Sequence, residues 1–218
     1  MNRIVKVAIT AVVLLLLSSS AWALPMAGEY VTMTAINNQV PYIMTDINDG
    51  DVYLSFCLEK NKFFTPGNNY LVTSVGDYAT GGGGGAESVW DKDLQKWITR
   101  DLVSDESKWL YAAFMDGVFG VQNTQTAQRV QDAIWFKEQE SDASVEAKAL
   151  LNLYNANYLA ANGWKVYAVN LTGNYADAQS QLIGVKTTAP VPEPATMLLL
   201  GTGLVGLAGI GRKKMKKS

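Results

Sequence analysis

The period of the apolar residues changes twice along this chain, and the order of those changes limits the folds open to it. From Glu29 to Val75, apolar and β-branched residues alternate with polar ones, the period of two that a strand with one buried face requires. Four strands are predicted there, near Tyr30 to Ile36, Tyr42 to Thr45, Val52 to Leu58 and Tyr70 to Val75. Further on the period lengthens to about 3.6, which predicts helices over Asp105 to Phe119, Thr124 to Glu140 and Ala143 to Ala161. Trp164 to Leu171 and Gln181 to Lys186 then return to strand character. A chain that starts and ends in strands with helices between them is an α+β domain. The expectation is a mostly β, sandwich- or barrel-like body with a helical insertion from about Asp91 to Ala161.

Turn chemistry agrees with this division. Asn48-Asp49-Gly50 lies between apolar runs and reads as a hairpin turn. Its surroundings, Asp46 to Asp51, resemble a calcium loop only superficially, because the glycine comes one place early and no ligand-bearing glutamate follows at the needed distance. Pro66-Gly67-Asn68-Asn69 is a second turn. Gly81 to Gly85 is a run of five glycines without the Gly-Lys-Ser/Thr ending of a phosphate loop, so an exposed flexible loop is expected. In the third helix Val145, Ala149, Leu153, Ala156 and Ala160 form the expected buried stripe, and Asn162-Gly163 is its stop signal.

The two ends differ from the body. Met1 to Ala23 has basic residues at Arg3 and Lys6, an apolar run from Val7 to Leu17, and Ala21-Trp22-Ala23, a small-x-small cleavage site. The run is shorter than the ~20 residues of a membrane span, so residues 1–23 are expected to be a signal peptide removed by signal peptidase, with a domain over 24–189. Seven of the 18 basic residues and one of the 20 acids lie in the two ends, which leaves the segment from Leu24 to Ala189 at −8. That acidic body argues against nucleic acid as a partner. The chain has no histidine, which removes Ser-His-Asp and Cys-His hydrolases and histidine-ligated metal sites. Cys57 is the only cysteine, so intrachain disulfides and thiolate clusters are excluded too. No metal, no cofactor and no enzymatic turnover are expected.

Pro190-Val191-Pro192-Glu193-Pro194 is followed by the apolar stretch Ala195 to Gly211 and the basic end Arg212-Lys213-Lys214-Met215-Lys216-Lys217. Hydropathy and charge describe a short transmembrane helix with a cytoplasmic basic stop. The segment 190–218 resembles the PEP-CTERM sorting signal of Gram-negative bacteria, with Pro192, Glu193 and Pro194 as the motif and Arg212 leading the basic cluster. The resemblance implies that an exosortase cleaves the chain in the inner membrane and releases it to the cell surface or an exopolysaccharide matrix.

A lone thiol in an exported chain meets an oxidising environment and calls for an explanation. Val52, Leu54, Phe56 and Leu58 alternate with Tyr53, Ser55, Cys57 and Glu59, which puts Cys57 on the more polar face of a strand. In the helix over Thr124 to Glu140, Gln131 shares a face with Ala127, Ile134 and Trp135, so its carboxamide points inward. A buried amide needs a partner; strand backbone is one candidate and Cys57 is another. Phe56-Cys57-Leu58-Glu59 and Val130-Gln131-Asp132-Ala133-Ile134-Trp135 together resemble the bacterial thioester domains of surface adhesins, in which a cysteine condenses with a glutamine side chain. The glutamine motif departs from the family's common form by Val130 in place of threonine, and Gln125 lacks the following Ile-Trp.

The resemblance implies a thioester between Cys57 and Gln131 that captures an amine or hydroxyl of a surface or matrix partner. Loss of ammonia from an amide needs the high effective molarity of oriented groups. Trp135, Phe136 and Tyr53 are candidate shields against water, and Glu59 and Asp132 candidate proton-transfer groups. The alternative function is a non-covalent structural or polysaccharide-binding matrix protein that uses Trp90, Trp97 or Trp109, although core packing is the expected role of those tryptophans. Carboxylate-only glycosidase chemistry is a third class, with no pair of acids marked out for it.

Overall fold

The computed structural model describes residues 24–36, 39–80, 84–92, 95–173 and 178–187. The expected signal peptide and sorting helix lie outside them. In chain order the elements are β1 (Tyr30–Ile36), β2 (Gln39–Asp46), β3 (Val52–Cys57), β4 (Asn69–Gly76), β5 (Tyr78–Ala79), β6 (Glu87–Asp91) and β7 (Lys96–Leu102). After these come α1 (Asp105–Met115), α2 (Thr124–Lys137), α3 (Val145–Leu151), α4 (Tyr158–Asn162), β8 (Trp164–Thr172) and β9 (Gln181–Lys186).

Six strands close into an antiparallel barrel in the order β1-β2-β3-β9-β8-β4, and closure removes the free edges an open sheet would leave. Its interior is apolar, with Met33, Met44, Tyr53, Val72, Val169 and Ile183 among the residues that fill it. On the outside of β3, β9 and β8, Phe56, Leu182 and Ala168 meet α1 and α2 through Trp109, Leu110 and Ile134. At roughly 1.5–3 kcal/mol for each large apolar side chain removed from water, this second layer holds the helices on the barrel.

Both faces of β3 are therefore covered. Tyr53, Ser55 and Cys57 turn into the barrel while Phe56 and Leu58 pack under the helices, so the face expected to be merely polar is an interior face. Cys57 is only 2% exposed.

Side-chain caps close the starts of the first three helices. Ser104 accepts from the Ser107 amide at 3.1 Å, Asn123 from Thr126 at 2.9 Å and Ser144 from Ala147 at 3.1 Å. α1 ends at Met115, four residues before the predicted Phe119, and Gln122 donates to the carbonyls of Phe114 and Met115 in its last turn.

The single helix expected over Ala143 to Ala161 is two. Asn155 accepts from the Asn157 amide at 3.0 Å, an Asx turn that competes with helix, and Tyr154 sets its ring edge-on to Trp109 at 5.6 Å. The expected stripe is also out of phase, since Ala147 and Leu150 are buried while Val145 and Leu153 are exposed. Gly163 caps α4 in the left-handed region, as predicted.

The insertion expected from about Asp91 to Ala161 is not wholly helical, because β7 falls within it and pairs with β5 and β6 in a three-stranded sheet before α1. Asn170 on β8 ties it to the barrel by donating to Tyr78 O at 2.9 Å and accepting from Thr80 N at 2.8 Å. Gly84 and Gly85, the described part of the glycine run, are exposed yet not free. Gly84 N donates to Glu140 at 3.3 Å, and a Cβ there would come within 2.2 Å of the Gln139 carbonyl oxygen.

Candidate functional site

The sequence's two marked residues meet in the structure, but through the peptide of Cys57. β2 pairs with β3 only as far as Tyr42 opposite Ser55, and beyond that point the backbone of Cys57 needs another partner. Gln131, buried on the inner face of α2, supplies it. The Cys57 amide donates to Gln131 Oε1 at 2.8 Å, and Gln131 Nε2 donates to Cys57 O at 2.7 Å. The carboxamide thus continues the ladder as a neighbouring strand would, and both its ends are used. A strand side chain stands roughly perpendicular to that ladder, so the Cys57 sulfur faces the barrel interior.

There the sulfur meets two other glutamines. Ala178–Ser180 precede β9, and Cys57 pairs with Gln181 in the β3–β9 ladder. Cys57 Sγ donates to Gln179 Oε1 at 2.8 Å, and Gln181 Nε2 donates to the sulfur at 3.6 Å. Acceptor-only carbonyls orient both amides: Gln179 Nε2 donates to the carbonyl of Glu59, and Gln181 Nε2 donates to the carbonyl of Gln179 at 3.4 Å, which leaves Gln181 Oε1 to accept from Ser55 Oγ at 3.0 Å. The carbonyl carbon of Gln179 is one ~1.23 Å bond from its oxygen and so lies within about 4 Å of the sulfur. The Tyr42 hydroxyl, on the residue diagonal to Cys57 across β2 and β3, also acts on the titration of the thiol. Burial pushes the Cys57 thiol up, outweighing the hydrogen bonds from Gln181 and Tyr42.

The expected proton-transfer groups are elsewhere. Asp132 accepts from Gln128 at 2.9 Å in an exposed contact one turn back along α2. Glu59 is buried, and its carboxyl holds Ser180 by the amide at 2.6 Å and the hydroxyl at 2.7 Å, so it fixes the residue between Gln179 and Gln181.

Asn170 Oδ1 also accepts from the Ser180 hydroxyl, at 2.8 Å, and its orientation is set by Nδ2 donating to Tyr78 O. Burial raises the Glu59 carboxyl, and the hydrogen bonds from Ser180 oppose that rise.

Trp135 lies under the ammonium of Lys60, 5.7 Å from its ring centre and three residues beyond Cys57. Tyr53 belongs to the barrel interior. Gln179, Gln181 and Tyr42 are the site residues that sequence reasoning missed. The only signal for them was a pair of glutamines opening a strand whose neighbours are apolar, and the register that brings Tyr42 diagonal to Cys57 is not written locally. Trp109 is core, as expected, but Trp90 and Trp97 are not: they are 46% and 67% exposed and pair across β6 and β7 with ring centres 5.7 Å apart. Among the described residues no group of three or more acidic or cysteine side chains is placed to hold a metal ion.

Residues 190–213 match the PEP-CTERM protein-sorting motif. This motif marks an exported protein that passes the membrane for the cell surface and is processed by an exosortase. No curated protein and no solved structure matches the chain. Among the described residues no helix is long and apolar enough to cross a membrane, and the stretch 195–211 expected to do so lies outside them.

Proposed function

We propose that the barrel is a covalent attachment module whose Cys57 forms an internal thioester with Gln179, in a cell-surface protein that uses it to bond to a partner in the manner of an adhesin. One observation carries this reading: the thiol contacts the Gln179 carbonyl at 2.8 Å inside a closed interior. Gln131, the partner expected from the sequence, then has a positioning role, because its amide is spent on the Cys57 peptide. Attack of Sγ on the Gln179 carbonyl carbon forms the C–S bond and expels the Nε2 group as ammonia, the thiol proton leaving with it. A partner amine or hydroxyl later attacks the same carbon, the C–S bond breaks and Cys57 is freed. The domain reacts once, so it is not a turnover enzyme. Its mature form runs from Leu24 to near Pro192-Glu193-Pro194 after signal peptidase and exosortase have acted.

Intact mass is the test. The purified domain from Leu24 to Ala189 is expected to weigh one ammonia less than its sequence and to resist alkylation at Cys57. Methylamine should restore the thiol and label Gln179, while Cys57→Ala and Gln179→Ala should each return the full mass. A label at Gln131 would reinstate the partner expected from the sequence. Full mass with a freely alkylated Cys57 sinks the covalent reading altogether. A second reading, non-covalent binding of polysaccharide, draws support from the exposed Trp90 and Trp97, whose strand face also carries the exposed hydroxyls of Ser88 and Thr99. It would stand alone in that case.

A further inference from the structure

We propose that Tyr42 is the proton carrier of the Cys57 site, giving its hydroxyl proton to the sulfur as the acyl bond to Cys57 breaks. This rests on the thioester reading above and adds to it the group that makes the sulfur able to leave. Aminolysis of a Cys57–Gln179 thioester by an amine forms a C–N bond, breaks the C–S bond, and moves one proton from nitrogen to sulfur. Without that proton the product would be a thiolate shut away from water, which the burial of Cys57 disfavours.

Among the described residues, the carboxamides of Gln179 and Gln181 touch the sulfur, the Tyr42 phenol lies diagonal to it on the same face, and the Glu59 carboxyl acts on it through space. A carboxamide donates hydrogen bonds but does not exchange protons usefully near neutral pH. The chain has no histidine, and the Glu59 carboxyl is occupied by Ser180. The phenol remains.

Its position follows from the sheet. Tyr42 stands opposite Ser55, which makes Cys57 its diagonal neighbour on the same face, within reach of a long side chain. The ring is held edge-on against Phe64 with centres 4.8 Å apart. Gln179 and Gln181 are buried, whereas Tyr42 is only half-buried and so joins the closed interior to the outside. The Tyr42 proton passes to Sγ, the phenol is reprotonated from the ammonium formed by the attacking amine, directly or through water, and Tyr42 ends unchanged. Run backward, the same path removes the thiol proton when the thioester first forms.

The experiment measures intact mass and then the rate of thiol release by methylamine, in the wild-type domain, in Tyr42→Phe, and in a domain carrying at position 42 a fluorinated tyrosine with a more acidic phenol. Tyr42→Phe should release thiol slower by on the order of 10- to 100-fold, as loss of one general acid does. The fluorinated side chain should bring the alkaline fall of the rate to lower pH, a shift that altered packing alone does not produce. If Tyr42→Phe never forms the acyl bond and shows full mass, the pH profile of the fluorinated protein decides by itself. A mass deficit in the wild type, with an unchanged rate in Tyr42→Phe or no pH shift on fluorination, overturns the role of Tyr42 and leaves the thioester standing. No mass deficit in the wild type overturns both.

Discussion

Gln131 shows how one side chain joins two layers. Its amide replaces a missing strand neighbour for Cys57 and anchors α2 to the barrel at the same point. Gln131→Ala leaves a buried N–H and a buried C=O without partners. At about 1–3 kcal/mol for each unsatisfied group, the expected loss is roughly 2–6 kcal/mol, read as a fall in the midpoint of urea unfolding. Gln131→Glu keeps the shape but sets a carboxylate oxygen against the Cys57 carbonyl, and it is expected to lose about as much. A midpoint unchanged in both variants would show that the pair is incidental. The sequence did mark this residue, through its position on the apolar face of a helix. It could not tell a bond to the thiol from a bond to the peptide, because that choice depends on where β2 stops pairing with β3.

At the scale of elements, the contact of α1 with β9 is set by Gly184. A Cβ at that position would stand 2.5 Å from Cε1 of Tyr111, whose hydroxyl is anchored on Leu54 O at 2.9 Å. Tyr111 is fully enclosed and cannot swing away. Gly184→Ala is therefore expected to destabilise by about 1–3 kcal/mol, as overpacking does, and Tyr111→Leu in the same protein should recover part of that. An Ala variant as stable as the wild type would mean that α1 is free to shift. The barrel strands were legible because each has one apolar face and ends at turn residues. The sheet of β5, β6 and β7 was not, since Glu87–Asp91 and Lys96–Leu102 alternate weakly and earn their pairing from each other, Trp90 against Trp97 included. The break between α3 and α4 escaped for a similar reason: the Asn155 turn and the packing of Tyr154 on Trp109 override a plausible helical period.

For the whole molecule, buried acids set the response to pH. Burial raises the carboxyls of Glu59, Glu138 and Asp101, with neighbouring Glu138, Glu140 and Glu59 adding to the last and bringing Asp101 from 3.8 to about 6. Between those two values the folded chain holds a proton on Asp101 that the unfolded chain has released, so stability falls as pH rises through the window. Two groups work the other way. Lys137 holds Glu106 low, and at Asp116 burial is outweighed by Lys186, Trp164 and Tyr158. Their contribution is lost only in stronger acid. The melting temperature is therefore expected to rise from pH 7.5 to about pH 5 and to fall again in stronger acid, as scanning calorimetry would show. Glu59→Gln, which removes one of these raised carboxyls, should flatten the rise. A melting temperature that drops from pH 7.5 to 5 would contradict the upward shift of these acids.

Sequence alone determined the parts of this protein that rest on local chemistry. The period of the apolar residues reported the barrel strands and the two long helices, and residues 190–213 the route of export. Tertiary structure decided what depends on neighbours distant in the chain. The barrel closes because β1 pairs with β4 as well as β2, and Cys57 is sealed because β9 arrives beside β3 from more than a hundred residues away. That same arrival sets Gln179 and Gln181 on the sulfur and leaves Gln131 for the peptide. Such pairings are specified by register, and register is a property of two strands together.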